Sequence, residues 1–147
     1  MHLAQPEGCS PIVGAFETGS DHVTPVRPET LAKSLAIGNP AAGPYSLEVL
    51  KETDGTGVYA EENTIIDGIK LLAETEGIFT ETAGGVVISS LKKLVEQGKF
   101  KRDEVTVAYV TGNGLKTMEA MGDFVEPIQT TPDYETFQTA LAAAQKS

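Results

Sequence analysis

The chain has 147 residues, which is long enough to bury a hydrophobic core, and a single domain spanning residues 1–147 is expected. Its 21 acidic and 11 basic residues give a formal net charge of -10. A surface this acidic repels phosphate backbones and anionic lipid, so neither nucleic acid nor a membrane is an expected partner. The sequence contains no apolar run of transmembrane length and no signal-peptide pattern, and we expect a cytoplasmic protein.

Cysteine and histidine are too sparse to build a metal centre or a nucleophilic site. Cys9 is the only cysteine, which excludes an internal disulfide and suits a reducing compartment. His2 and His22 do not cluster with carboxylates at metal-ligand spacing. We therefore expect no metal ion, and we interpret Cys9 as a small buried residue.

Helical spacing and turn residues divide the first half of the chain into short elements. The predicted strands are 1–4 and 56–60. The predicted helices run from Pro11 to before Gly19, over 29–37, and from Tyr45 to before Asp54, with a loop over 19–28.

Two stronger helices are predicted next. The first carries Ile65, Ile69, Leu72 and Ala73 on one face, with Asn63 as a candidate cap and Gly77 as its end. A short buried segment, Ile78-Phe79, separates it from the second. The second helix carries Val87, Leu91, Leu94 and Val95 and ends at Gly98. Further along, we expect a short helix at 115–121, an edge strand at 125–130 and a final helix begun by Pro132-Asp133.

The segment most informative about function is 105–114, where an apolar run rich in β-branched residues precedes Thr111 and two closely spaced glycines. Such a run predicts a central strand, 105–110, buried on both faces of a parallel sheet. The loops after such strands form the ligand crevice, so Thr111 and 112–114 are predicted to face a ligand. The predicted fold class is α/β, a three-layer open sheet, mostly parallel, with helices on both faces.

Three small-residue loops are candidate ligand-binding loops, although ordinary turns have the same composition. They are Gly38-Asn39-Pro40, 81–85 and 111–114. The last lacks the third glycine and the downstream acid of a dinucleotide site, and no Gly-Lys-Ser/Thr motif occurs. From the residues alone, a non-catalytic α/β domain that binds a ligand or a partner therefore stays open.

Four blocks of the sequence resemble, in order, the C-terminal part of the threonine synthase family. They are EGCSPIV at 7–13, AIGNP at 36–40, LLAETEGIFTETAGG at 71–85 and YVTGNGLK at 109–116. The resemblance implies part of the large domain of a fold type II, pyridoxal-phosphate-dependent lyase. Such an enzyme converts O-phosphohomoserine and water into threonine and phosphate, a step of threonine biosynthesis.

The resemblance also assigns residues to the cofactor. Thr111 would hydrogen-bond the pyridine nitrogen, and a hydroxyl there implies a milder electron sink than a carboxylate. Glu81 and Ala83 would line one side of the ring, and Gly38 would pack against it. Gly112 is also assigned to cofactor binding. Lys116 is interpreted as a surface residue.

The resemblance implies that other parts of the enzyme lie outside this sequence. The family's Schiff-base lysine belongs to a Ser-Phe-Lys-Asp type motif, which none of the lysines here has, so no residue is assigned a catalytic role. We expect the chain alone neither to bind pyridoxal phosphate covalently nor to make threonine. Its expected partners are O-phosphohomoserine and an N-terminal threonine synthase portion, or a second copy of itself.

Overall fold

The computed structural model describes residues 1–124 and 127–145. Within these residues the chain forms a two-stranded parallel sheet and five α-helices. The strands are β1 (His2–Pro6) and β2 (Thr56–Ala60). The helices are α1 (Pro11–Glu17), α2 (Gly43–Glu52), α3 (Ile65–Glu76), α4 (Thr82–Glu96) and α5 (Tyr134–Ala144). Short 3-10 segments occupy Glu7–Cys9, Lys33–Leu35, Glu62–Thr64 and Gly114–Phe124.

The sheet carries helices on both faces. β1 and β2 are parallel and in register from His2 opposite Thr56 to Pro6 opposite Ala60. Successive side chains of a strand point to opposite faces. Leu3 packs with residues of α1 and α2, whereas Ala4 packs with residues of α3 and α4. The predicted α/β class with helices on both faces of a parallel sheet is therefore confirmed.

Glycine brings α3 and α4 into backbone contact. A Cβ atom on Gly85 would lie 2.4 Å from the carbonyl oxygen of Ile65, and one on Gly68 would lie 2.5 Å from the carbonyl oxygen of Gly85. The Ser89 hydroxyl donates a 2.7 Å hydrogen bond to the carbonyl of Thr64 across the same contact. This close approach fixes α4, which packs on the sheet, against α3 behind it.

Most predicted elements of the first half are confirmed, but the prediction of a helix over 29–37 is wrong. Only the 3-10 turn Lys33–Leu35 forms there. The amide of Glu29 donates to the carbonyl of Gly8 at 2.8 Å, and the amide of Leu31 donates to the Glu62 carboxylate at 2.8 Å. Further along, the amide of Lys33 bonds to the carbonyl of Leu31 and the amide of Leu35 bonds to that of Ala32, two and three positions back rather than the four of an α-helix.

The two strong helices are confirmed as α3 and α4, with corrections at their ends. Gly77 ends α3 in the left-handed conformation, with a φ of 68°. The prediction of Asn63 as a cap is wrong, because the 3-10 turn Glu62–Thr64 precedes the helix and Thr64 takes the cap position. The prediction of a buried Ile78 is also wrong, since 48% of that residue is exposed.

The predicted central strand over 105–110 is wrong for this structure. The segment forms no strand, and its apolar side chains are exposed, at 91% for Val105, 71% for Val107 and 77% for Tyr109. Its apolar pattern suits a strand buried between neighbours. No strand among residues 1–124 and 127–145 pairs with it, so neither the ladder nor the burial forms.

The last part of the chain is partly as predicted. The helix expected at 115–121 lies within the 3-10 segment Gly114–Phe124. Residues 127–130 form no strand, and residues 125 and 126 of that predicted edge strand lie outside the described part. The final helix is confirmed as α5, where the Asp133 carboxylate caps the amide of Thr136 at 2.9 Å.

Cys9 is buried as predicted, with 1% of the residue exposed. Burial raises the pKa of its thiol above the ordinary value.

Across residues 1–124 and 127–145, helices are too short or too polar to cross a membrane.

Replacing Gly85 with alanine should destabilise the fold by about 2 kcal/mol or more, because the new methyl group meets backbone that cannot move aside cheaply. The matched control is Gly14→Ala in α1, where an added Cβ has open space. That change should be neutral or stabilising by up to about 1 kcal/mol. Urea unfolding of both variants measures the difference. Equal stability of the two would show that the α3–α4 contact is not this close.

The Glu61–Lys93 ion pair should give a pH-dependent contribution to stability. The side chains meet at 2.6 Å, and the hydrogen bond from Lys93 lowers the pKa of Glu61 below its ordinary value of 4.5. A depressed carboxyl pKa stabilises the fold above about pH 4.5, and this stabilisation is lost as the pH falls through the folded-state pKa.

Glu61→Gln should therefore lower the unfolding free energy at pH 7 by about 0.5 to 1 kcal/mol, a value reduced by partial solvent exposure. The difference from the native chain should shrink towards pH 3, as followed by thermal unfolding. Glu48→Gln on the exposed side of α2 is the control, and it should show no such trend. A difference that stays constant with pH would contradict the assignment.

Candidate functional site

The start of α4 and the loop after residue 110 meet at a backbone junction. The amide of Glu81 donates to the carbonyl of Gly112 at 3.4 Å, and the Thr80 hydroxyl donates to the same carbonyl at 3.2 Å. An isolated antiparallel bridge pairs Thr80 with Asn113. Thr80 and Gly112 are 32 positions apart. The junction thus joins two of the three small-residue loops of the sequence.

Glu81 is a buried carboxylate at this junction, with 5% of the residue exposed. It occupies the position before the first residue of α4, where the helix dipole favours a negative charge. The ammonium group of Lys116 lies 3.1 Å from one carboxylate oxygen and 3.2 Å from the other. Lys116 is exposed, as a surface residue should be, but its pairing with Glu81 was not predicted.

The backbone conformation and the close surroundings of position 112 favour glycine over any other residue. Its φ is 84°, a conformation that other residues rarely adopt. A Cβ atom at this position would lie 2.0 Å from the Glu81 carboxylate. Gly114 is similarly restricted, because a Cβ there would lie 2.4 Å from the ring of Phe79. Both glycines let the loop approach the start of α4.

Two threonines complete the junction on its buried side. The amide of Thr82, at the start of α4, donates to the hydroxyl of Thr117 at 3.3 Å. The Thr82 residue is fully buried, and its own hydroxyl has no hydrogen-bond partner among the described residues. Small residues, Ala83 to Gly85, follow it. A buried hydroxyl without a partner beside small residues is compatible with a site that receives a polar group from elsewhere.

The predicted site residues fall into two places. Thr111 is exposed and directly precedes Gly112, whose carbonyl accepts the hydrogen bond from the amide of Glu81, and Ala83 follows Glu81 by two positions in the chain. Gly38 lies in another loop, where its carbonyl accepts a 2.9 Å hydrogen bond from the amide of Val26. Among the described residues no hydrogen bond links Gly38 to the junction. A contact of Gly38 with a cofactor ring stays a prediction.

Sequence reasoning missed Thr80, Thr117 and the pairing role of Lys116. Thr80 and Thr117 are both buried and bond across the junction. No local period marks such residues, because each partner comes from a segment more than thirty positions away. The only available signal was their position beside the two glycine-rich loops.

Residues 1–112 match the family of pyridoxal-phosphate-dependent enzymes, and the chain belongs to this family. Pyridoxal phosphate is accordingly the cofactor of the family to which the chain belongs.

Within this family, the following relatives by sequence are threonine synthases, as the four blocks indicated. The threonine synthase of Methanocaldococcus jannaschii is 37% identical over 139 residues, covering 93% of this chain and 34% of that protein. The threonine synthase of Methanosarcina acetivorans is 37% identical over 123 residues, covering 83% of this chain and 30% of that protein. The threonine synthase of Bacillus sp. (strain ULM1) is 37% identical over 116 residues, covering 79% of this chain and 31% of that protein. The chain spans about a third of the length of these relatives.

Removing the Lys116 side chain should leave the Glu81 carboxylate buried without its cation. We expect Lys116→Ala to lower the unfolding free energy by about 1 kcal/mol, less than for a fully buried pair because Lys116 itself is exposed. Lys33→Ala, at an exposed lysine of a 3-10 turn, is the matched control and should change stability by less than about 0.5 kcal/mol. Chemical unfolding of both variants at pH 7 checks this. A Lys116 variant as stable as the control would mean that the Glu81–Lys116 ion pair does not contribute to the unfolding free energy.

Proposed function

We propose that this chain is part of a threonine synthase and forms one wall of its pyridoxal-phosphate site. The whole enzyme would convert O-phosphohomoserine and water into threonine and phosphate, in the cytoplasm. The observation that supports this best is the junction, where the loop carrying Thr111 and Gly112 meets Glu81 at the start of α4. Two segments that the resemblance assigned to one cofactor are therefore neighbours, although they are far apart in the chain.

The residues present are suited to holding the ring of the cofactor. When bound, pyridoxal phosphate supplies an electron sink for the carbon atoms of the substrate. The exposed Thr111 hydroxyl would donate to a neutral pyridine nitrogen, which leaves that nitrogen unprotonated and makes the sink milder than a carboxylate partner would. Glu81 and Ala83 would lie along one side of the ring, and Lys116 balances the charge of Glu81.

The chain would supply binding groups, and the rest of the enzyme would supply the covalent anchor. No lysine of this sequence lies in the Ser-Phe-Lys-Asp type motif that the resemblance associates with the cofactor. About two thirds of the length of the M. jannaschii enzyme has no counterpart in this chain. Residues 1–147 would thus be one part of a large cofactor-binding domain, inactive by itself.

Reconstitution tests this proposal. The chain is mixed with the portion of the M. jannaschii enzyme that has no counterpart here, and release of threonine and phosphate from O-phosphohomoserine is measured with pyridoxal phosphate present. We expect activity in the mixture and none with either part alone. A complex that forms without releasing product would favour the alternative, a non-catalytic α/β domain that binds a ligand or a partner.

In the same mixture, Thr111→Ala should lower kcat/KM about tenfold or more, because the ring nitrogen loses its donor. Thr111→Ser keeps the hydroxyl and should stay within about threefold of the native value. The absorbance spectrum of the bound cofactor should change with the alanine variant and not with the serine variant. Thr139→Ala on the exposed face of α5 is the control and should leave both readouts unchanged. Identical behaviour of the alanine and serine variants would exclude the hydroxyl from this role.

A further inference from the structure

Asn113 differs from the other asparagines of the chain in the residue that follows it. Asparagine is a thermally labile residue, because the amide nitrogen of the next residue can attack its side-chain carbonyl carbon. The attack is least hindered when the next residue is glycine. The sequence has three asparagines, Asn39, Asn63 and Asn113, and all three are exposed. Pro40 has no N–H, the branched side chain of Thr64 crowds the amide after Asn63, and only Asn113 precedes a glycine.

The junction holds the attacking nitrogen away from Asn113. This nitrogen is the amide of Gly114, which donates a 3.1 Å hydrogen bond to the carbonyl of Phe79. The side-chain oxygen of Asn113 accepts a 2.9 Å hydrogen bond from the amide of Leu115, which fixes the orientation of the side chain. The Gly114 amide has to turn away from Phe79 before it reaches the side-chain carbon. Attack therefore requires the junction to open locally.

The backbone around Asn113 cannot turn unless the loop lifts off the start of α4. Gly114 is buried, and a Cβ atom there would lie 2.4 Å from the ring of Phe79. Asn113 pairs with Thr80 in an antiparallel bridge, and the Thr80 hydroxyl also bonds the carbonyl of Gly112 at 3.2 Å. The loop is thus held immediately before and immediately after Asn113.

We propose that Asn113 is a site of spontaneous deamidation, which the closed junction suppresses and which proceeds when the junction opens. The Gly114 nitrogen forms a bond to the side-chain carbonyl carbon of Asn113, and the bond from that carbon to the side-chain nitrogen breaks. Ammonia leaves with the proton of the Gly114 amide, and a five-membered imide ring remains. Water reaches the exposed Asn113 and opens the ring at either carbonyl carbon. The products are aspartate and isoaspartate.

The isoaspartate product loosens the junction permanently. Its main chain runs through the former side chain of residue 113 and is one carbon atom longer. The amide of Gly114 is then displaced from the carbonyl of Phe79, and the bridge to Thr80 loses its register. The reaction is a slow, one-way release of the loop that carries Thr111. Its rate follows the fraction of time that the junction spends open.

Peptide mapping by mass spectrometry tests the proposal on the intact chain. The chain is incubated at mildly alkaline pH, either folded or unfolded in guanidinium chloride, and the mass increase of each asparagine peptide is followed. We expect Asn113 to convert at least about tenfold more slowly in the folded chain than in the unfolded chain. In the unfolded chain, the internal controls Asn39 and Asn63 should convert at least about tenfold more slowly than Asn113. Equal rates at Asn113 in the two states, or no conversion in either, would overturn the proposal.

Weakening the junction should speed the reaction in the folded chain. Thr80→Val keeps the shape of the side chain and removes the hydrogen bond to Gly112. We expect Asn113 to convert about fivefold faster, because the open junction becomes more populated. The control Thr139→Val removes a 2.9 Å hydroxyl hydrogen bond to the carbonyl of Glu135 within α5 and should leave the rate unchanged. Equal rates in the two variants would show that the junction does not control the reaction.

Hydrogen–deuterium exchange of the isoaspartate form, separated by chromatography, tests the loosening. Exchange of the Glu81 and Gly114 amides should be at least about tenfold faster than in the native chain. Asn113→Asp adds the charge without lengthening the main chain, and its carboxylate still accepts from the amide of Leu115, so exchange should stay within about threefold of native. Unchanged exchange in the isoaspartate form would overturn the loosening. These measurements need no threonine release, so their outcome is independent of the proposed function.

Discussion

The contact between Glu81 and Gly112 is the constraint on which the site depends. Residues 105–110 pair with no strand in the part of the chain that the structure describes, so the position of Thr111 is set by the bonds that follow it. Those bonds require a glycine at 112, because any side chain there would collide with the carboxylate that Lys116 neutralises. The amide of Glu81 and the hydroxyl of Thr80 therefore tie the loop to the start of α4, and this places the backbone of Thr111 beside them.

The start of α4 is itself held by backbone packing rather than by long side chains. Gly68 and Gly85 let α3 and α4 touch, while α4 packs on both strands. The wall of the site is thus organised before any partner arrives. A surface that is already ordered loses less conformational entropy when it binds, which would favour the assembly proposed above.

The sequence predicted α3 and α4 because their own apolar spacing determines them. It failed at 29–37, where Gly8 and Glu62 bond the segment from distant parts of the chain and the bonds within it close short turns, and no local pattern reveals such partners. The apolar run at 105–110 has the pattern of a strand buried between neighbouring strands. In this structure the segment is exposed, so the pattern alone did not predict its conformation. The likeness of the blocks at 71–85 and 109–116 to threonine synthases indicated a candidate site in these two segments, but the Glu81–Lys116 pair came only from the structure.

Cys9 offers a way to observe the fold from within. It is almost fully buried just after β1, and burial raises its pKa, so the reactive thiolate is scarce in the folded chain. Alkylation of this thiol requires the surrounding structure to open. Its rate therefore measures how often the fold opens around the end of β1, without any introduced label.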